Sequence, residues 1–179
     1  MCTTKDEAKI KGGGGISIFK RIAREPFEVG DVINGSGTKP LQSRFPEIEE
    51  VLERNRPHSV PDRGNCVFMR DDADFSQTGV SFDKGYVHDV EPIGSVRKRD
   101  TYWIGVLQKR HFKDARFQKN IEPILSDDEV AQNYWGCKAG PNPIWEWVAE
   151  SAKVISVAAD PVLVRPNAIF LNANFDEEK

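Results

Sequence analysis

Imidazoles and thiolates are the side chains that most readily bind transition metals or attack electrophiles, and this chain has few of either. His58, His88 and His111 fall at no metal-ligand spacing, and Cys2, Cys66 and Cys137 show neither CxxC nor Cys/His spacing. A zinc site or disulfide frame is therefore not indicated, and free thiols in a reducing cytoplasm are expected. No GxSxG, HExxH, P-loop or GxGxxG is present, which removes the usual supports for a serine or metal hydrolase or a dinucleotide fingerprint. The run Gly12, Gly13, Gly14 and Gly15 neither follows a strand nor precedes Lys-Ser/Thr, so it reads as part of a flexible tail over 1–15 rather than a phosphate loop. His88 alternates with its neighbours in an apparent strand and is expected to be solvent-facing or structural. Arg97, Lys98 and Arg99, then Lys109, Arg110, His111 and Lys113, concentrate positive charge. Such groups solvate a turn and a helix face, or guide a phosphate-rich substrate or an acidic protein.

Any site must be held by the elements the pattern implies. Ile16, Ile18, Phe19 and Ile22 form an apolar, β-branched run, and a turn at Gly30-Asp31 leads to Val32-Ile33. Phe45, Ile48, Val51 and Leu52 at helical spacing, with Pro46 in the first turn and Pro57 beyond, predict a helix over 46–55. Residues 66–69 read as a buried strand, 71–85 as turn-rich, Tyr86 through Glu91 as a strand ended by Pro92 and Gly94, and 102–107 as another strand. Ser126 and Glu129 have capping-box spacing, predicting a helix over 127–135 stopped by Gly136. Val154, Ile155 and Val157, then 162–164, read as strands joined at Asp160-Pro161. Glu146 has two readings. Asn142-Pro143 makes a good helix start, in which Glu146 complements the helix dipole, whereas the apolar alternation after it suits a strand. The sum is an α+β fold, strand-rich, with a largely antiparallel split sheet and two or three short helices.

The order of these segments resembles the ADP-ribosyltransferase superfamily, in particular its bacterial toxin-like and phage-encoded members. The resemblance rests on Ile18-Phe19-Lys20-Arg21, the Gly-Asp turn and helix, the strand 66–69, the strand Tyr86-Val87-His88-Asp89-Val90-Glu91-Pro92, and the late segment from Trp145 and Glu146 to Val157. It covers roughly residues 16–165. It implies that Arg21 holds the pyrophosphate of NAD bidentately and that Phe68 or Tyr86 stacks the nicotinamide. Glu146 would stabilise the oxocarbenium character of the ribose. NAD would be a substrate, and the acceptor a protein or nucleic acid. The chain departs from the family pattern in two places: 65–69 has neither Ser-x-Ser nor Gly-x-Tyr, and position 144 is Ile where arginine-modifying members carry a second Glu. These departures leave a second expectation, a non-catalytic binding protein on the same fold that uses Trp103, Trp135, Trp145 and Trp147 as interface anchors.

The whole chain bounds these readings. At 179 residues it suits a tail and one globular domain over 16–179. Leu, Ile, Val and Phe make up about 25% of the chain, enough for a folded core. A net charge of −3 gives no global attraction to nucleic acid. No apolar stretch of membrane-spanning length and no signal-like start appear, so a cytoplasmic protein is expected, in the host cytoplasm if phage-encoded.

Overall fold

The computed structural model describes residues 17–72, 84–111 and 125–163; the tail expected over 1–15 lies outside them. The elements run β1 (Phe19–Ala23), β2 (Val32–Asn34), α1 (Pro46–Arg54), a 3-10 turn (Arg63–Asn65), β3 (Val67–Met69), β4 (Lys84–Ile93) and β5 (Arg97–Asp100). There follow α2 (Tyr102–His111), α3 (Asp127–Trp135), β6 (Trp145–Ala149), β7 (Ser151–Val157) and β8 (Val162–Leu163). Among the described residues this is a mixed fold of antiparallel sheets and three helices.

One sheet has the order β1-β4-β7-β2, with β8 on the start of β4, and the other has the order β3-β6-β5. All the strand pairs are antiparallel. A bridge between Lys20 and Arg70, with N–H to carbonyl bonds of 2.7 and 2.8 Å in both directions, joins β1 to the end of β3. The strands therefore follow one another as a curled layer. Its inner face buries Phe19, Val67, Met69, Val90, Ala149 and Val154, with Trp147 and Phe27 packed alongside. A second core forms among the helices from Ile48, Leu52, Leu107, Val130, Tyr134 and Trp135.

α1 and α3 form where their sequences place them. α3 carries the full capping box, Ser126 Oγ accepting from Glu129 N at 3.2 Å while Glu129 Oε2 accepts from Ser126 N at 2.7 Å. The strand expected over 102–107 is instead the helix α2. Trp103, Ile104 and Leu107, its buried apolar residues, have helical rather than alternating spacing, and Asp100 caps the helix by accepting the Tyr102 N–H at 3.0 Å. β4 runs on through Pro92, which pairs with Ala152 beyond the last β1 partner, Val90. Trp103 and Trp135, expected at an interface, are core residues of the helical layer. Their indole N–H groups are occupied by the carbonyls of Lys138 and Leu52 at 2.6 and 2.7 Å. Cys66 is a free thiol. Among the described residues no helix is long and apolar enough to cross a membrane, and no group of three His, Cys, Asp or Glu side chains could hold a metal.

Candidate functional site

Strand register places Glu146 opposite Arg99 and Phe68 opposite Val148, while Arg97 also faces Val148. Directly opposed residues point to the same side of a sheet and successive ones to opposite sides. Phe68, Glu146, Arg97 and Arg99 therefore share the face of β3-β6-β5 turned away from the inner core, and Arg70, two residues beyond Phe68, continues it. The structure thus decides between the two readings of Glu146: it lies on a strand, not at a helix start.

Onto this face the 3-10 turn delivers Arg63. Asp62 caps the turn by accepting from Gly64 N at 2.9 Å and Asn65 N at 3.3 Å. The preceding loop presses close, since a Cβ on Gly35 would fall 2.3 Å from the carbonyl carbon of Asn65. The Arg63 guanidinium lies between two rings, 5.1 Å from the centre of Phe68 and 5.3 Å from that of Tyr134. It hydrogen-bonds the Tyr134 hydroxyl, which donates to Glu146 Oε1 at 2.8 Å, and its own Nη1 lies 3.7 Å from that oxygen. Behind it, Glu49 of α1 pairs with Arg63 at 3.3 Å and accepts the Leu41 N–H at 2.9 Å. Strand, turn and two helices therefore converge on one linked set of charges.

The electrostatics follow from burial and pairing. Burial raises the Glu146 carboxyl above its ordinary value, while Arg63, the Tyr134 hydroxyl, Arg99 and Arg70 oppose that rise. Burial also works against a charged Arg63, but Tyr134, Glu146 and Glu49 outweigh it and hold the guanidinium firmly protonated. Tyr134 is held well above the ordinary phenol range, chiefly by burial. Cys66, beside the turn, is pushed up to about 11 by burial and is an inert thiol. The Glu146 side chain keeps 14% of its surface exposed and Phe68 is only partly buried, so both side chains contribute to the outer surface of this sheet. This arrangement can hold negative charge next to a planar, electron-poor group.

The four residues singled out in the sequence separate into two pairs. Phe68 and Glu146 share the outer face. Arg21 and Tyr86 lie on the inner one, where Arg21 faces His88 and Tyr86 faces Ala23 across β1 and β4. Arg21 reaches the other strands only by donating to the Phe68 carbonyl at 3.2 Å. Arg21 and Glu146 consequently do not line one cleft, because the odd-numbered positions of β1 face the interior of the curl while Glu146 faces out. His88 is fully buried and accepts the Phe27 N–H at 3.0 Å, a structural position. Arg99, grouped by sequence with residues that solvate a turn, is buried under Trp135 with its guanidinium 5.6 Å from that ring.

Sequence reasoning missed Arg63, Tyr134 and Arg99 as partners of Glu146, and Glu49 as the second carboxylate on Arg63. The available signal was Asp62 ahead of Gly64, a capped turn immediately before the strand bearing Phe68. No protein-family profile, curated protein or solved structure matches the chain.

Proposed function

We propose that the chain is an NAD-consuming mono-ADP-ribosyltransferase whose chemistry is centred on Glu146, with Arg70, on the same face, taking the pyrophosphate-holding role first given to Arg21 and Arg63 positioning Glu146. The observation that carries this reading is the Glu146 side chain on the outer face, its carboxylate fixed at Oε1 by Tyr134 on the face shared with the half-buried ring of Phe68. In the reaction, the bond between ribose C1′ and the nicotinamide nitrogen breaks with its electron pair leaving on nicotinamide. A nucleophile of a protein or nucleic-acid acceptor bonds to C1′ and gives up its proton. Glu146 stabilises the positive charge that develops on the ribose, and Phe68 stacks the departing ring. A second reading, a non-catalytic binding protein, is favoured by the closure of the Arg63–Glu49 pair, 5% and 1% exposed, which acts as a tie between layers. In that reading Trp145, with the Lys98 ammonium 4.1 Å from its ring, is the remaining anchor, since Trp147 packs against the inner core.

Purified protein incubated with NAD labelled in both halves separates the two readings. Release of nicotinamide with transfer of the ADP-ribosyl label to lysate protein or nucleic acid is expected, and Glu146→Gln should lower the rate by on the order of 10²–10³. Absence of turnover in the wild type would leave the binding protein standing, and turnover untouched by Glu146→Gln would remove Glu146 as the centre of the chemistry.

A further inference from the structure

Glu146 stands between two arginines in a row that crosses β3, β6 and β5. Its register partner on β5 is Arg99, and continuing the β3-β6 register one residue past Met69 brings Arg70 to its other side. Arg63 reaches the same carboxylate from the 3-10 turn. Two of these cations are shared with other acids, Arg63 with Glu49 at 3.3 Å and Arg70 with Asp72 at 3.1 Å. Arg99 is not shared in this way. Among the described residues it forms no ion pair; its Nη1 donates to the Lys98 carbonyl at 2.7 Å and its Nε has no hydrogen-bond partner.

Arg99 is only 5% exposed, and the Trp135 ring lies 5.6 Å from its guanidinium. Directly opposed residues on antiparallel strands hold their Cβ atoms about 4.5–5.5 Å apart. A charge on Arg99 therefore acts on Glu146 with little water to screen it. Burying a guanidinium is costly unless a nearby charge offsets it, and Glu146 is the acid directly opposite. Burial lowers the pKa of Arg99 and Arg97 adds to this, while Tyr134, Cys137 and Glu146 oppose it. The effect is mutual, since Arg99 is one of the groups opposing the rise that burial imposes on Glu146. The other titratable groups around Glu146 are Arg63 of the turn, Cys66 just after it, Tyr134 of α3, Arg70 beyond β3 and, behind Arg63, Glu49 of α1. Arg97 lies one row along on β5, opposite Val148.

We propose that Arg99 is a positioning residue for Glu146: from the strand opposite, and covered by Trp135, it keeps the carboxylate in the ionised form that stabilises positive charge on the ribose. Its use in catalysis rests on the ADP-ribosyltransferase reading, but the pairing itself is read without turnover. The full chain, isotope-labelled at the glutamate side-chain carboxyls, is titrated by NMR, with the Glu146 signal identified by its loss in Glu146→Gln. Arg99→Gln should raise the Glu146 midpoint by about one pH unit. Arg99→Lys, which keeps the charge, should bring it back towards the wild-type value. A midpoint unmoved by Arg99→Gln, or raised as far by Arg99→Lys, would overturn the proposal, because an arginine that merely fills space under Trp135 exerts no effect of charge. If Arg99→Gln does not fold, the wild type decides. The Arg99 Nε–H resonance should shift with the Glu146 midpoint, a shift absent from Glu146→Gln, and a resonance indifferent to that titration would overturn the pairing. In assays of nicotinamide release, the acid limb of kcat/KM should follow the NMR midpoint in Arg99→Gln; a limb that stays put would overturn the positioning role. A wild type without turnover would instead overturn the ADP-ribosyltransferase reading, with the NMR titration still deciding the pairing.

Discussion

Arg63 is the residue on which the outer face depends, because it answers two carboxylates, a phenol and an aromatic ring at once. Arg63→Met keeps much of the volume, removes the cation paired with buried Glu49 and leaves Glu146 with only Arg99 and Arg70. Removing one partner of a buried pair costs about 3–5 kcal/mol, so urea unfolding should show a loss of that size. Glu146 has a second signature, in pH. A carboxyl whose folded pKa is raised binds its proton more tightly in the folded state. Between its ordinary value of 4.5 and its raised value, stability should therefore increase as pH falls. Urea midpoints measured from neutral pH down to that region should show this gain in the wild type and not in Glu146→Gln. The sequence placed Glu146 and Phe68 in one site only through the resemblance, and the strand register brings them to one face. It did not reveal that Arg21 faces the other way, because the facing of a strand in a curled sheet is set by register with strands distant in sequence. Arg63 was invisible for a related reason: its partners come from positions 49, 134 and 146.

Among the elements, α2 depends on a single carboxylate. Asp100 is fully buried and accepts three backbone N–H groups, from Tyr102 at 3.0 Å and from Gly140 and Ile144 at 2.7 Å each. It thereby starts α2 and holds the loop leading into β6. Asp100→Ala should cost roughly 3 kcal/mol or more, because three buried donors lose a charged acceptor. Asp100→Asn retains Oδ1 for Tyr102 and Ile144 but turns an amide towards Gly140, so its damage should be smaller. Hydrogen exchange should accelerate first at the Gly140 amide. At α3, Ser126→Ala should lower stability by about 1 kcal/mol through loss of the capping box. These two helix starts explain why one was readable and the other was not. Ser126 and Glu129 signal a helix by local spacing alone. Tyr102 to Leu107 contains aromatic and β-branched residues that suit a strand equally well, and the Asp100 cap is recognisable only once the Gly140 loop folds over it.

For the whole molecule, the antiparallel, strand-rich character followed from the alternating runs, and the arrangement into a curl did not. β1 pairs with β4, β3 with β6, and β2 with β7, so nearly every ladder joins segments far apart in the chain. Acid should act on the helical layer through Asp127. Burial raises its carboxyl, but hydrogen bonds from Arg110 and His111 outweigh this and hold it below 3.8. That contribution is present above 3.8 and is lost as pH falls through the lowered value, so Asp127→Asn should flatten the acid limb of a pH-stability profile. The position of β7 carries a further consequence, in the order of synthesis. β7 lies between β4 and β2, yet it is made after both. On the ribosome those strands emerge with open edges and wait for residues 151–157, on the order of several seconds at roughly 5–20 residues per second. The nascent protein spends that interval with unpaired backbone exposed, the state most prone to sticking to its neighbours. Chains released before Ser151 should be recovered in the insoluble fraction, while those released after Val157 have the strand that closes the sheet.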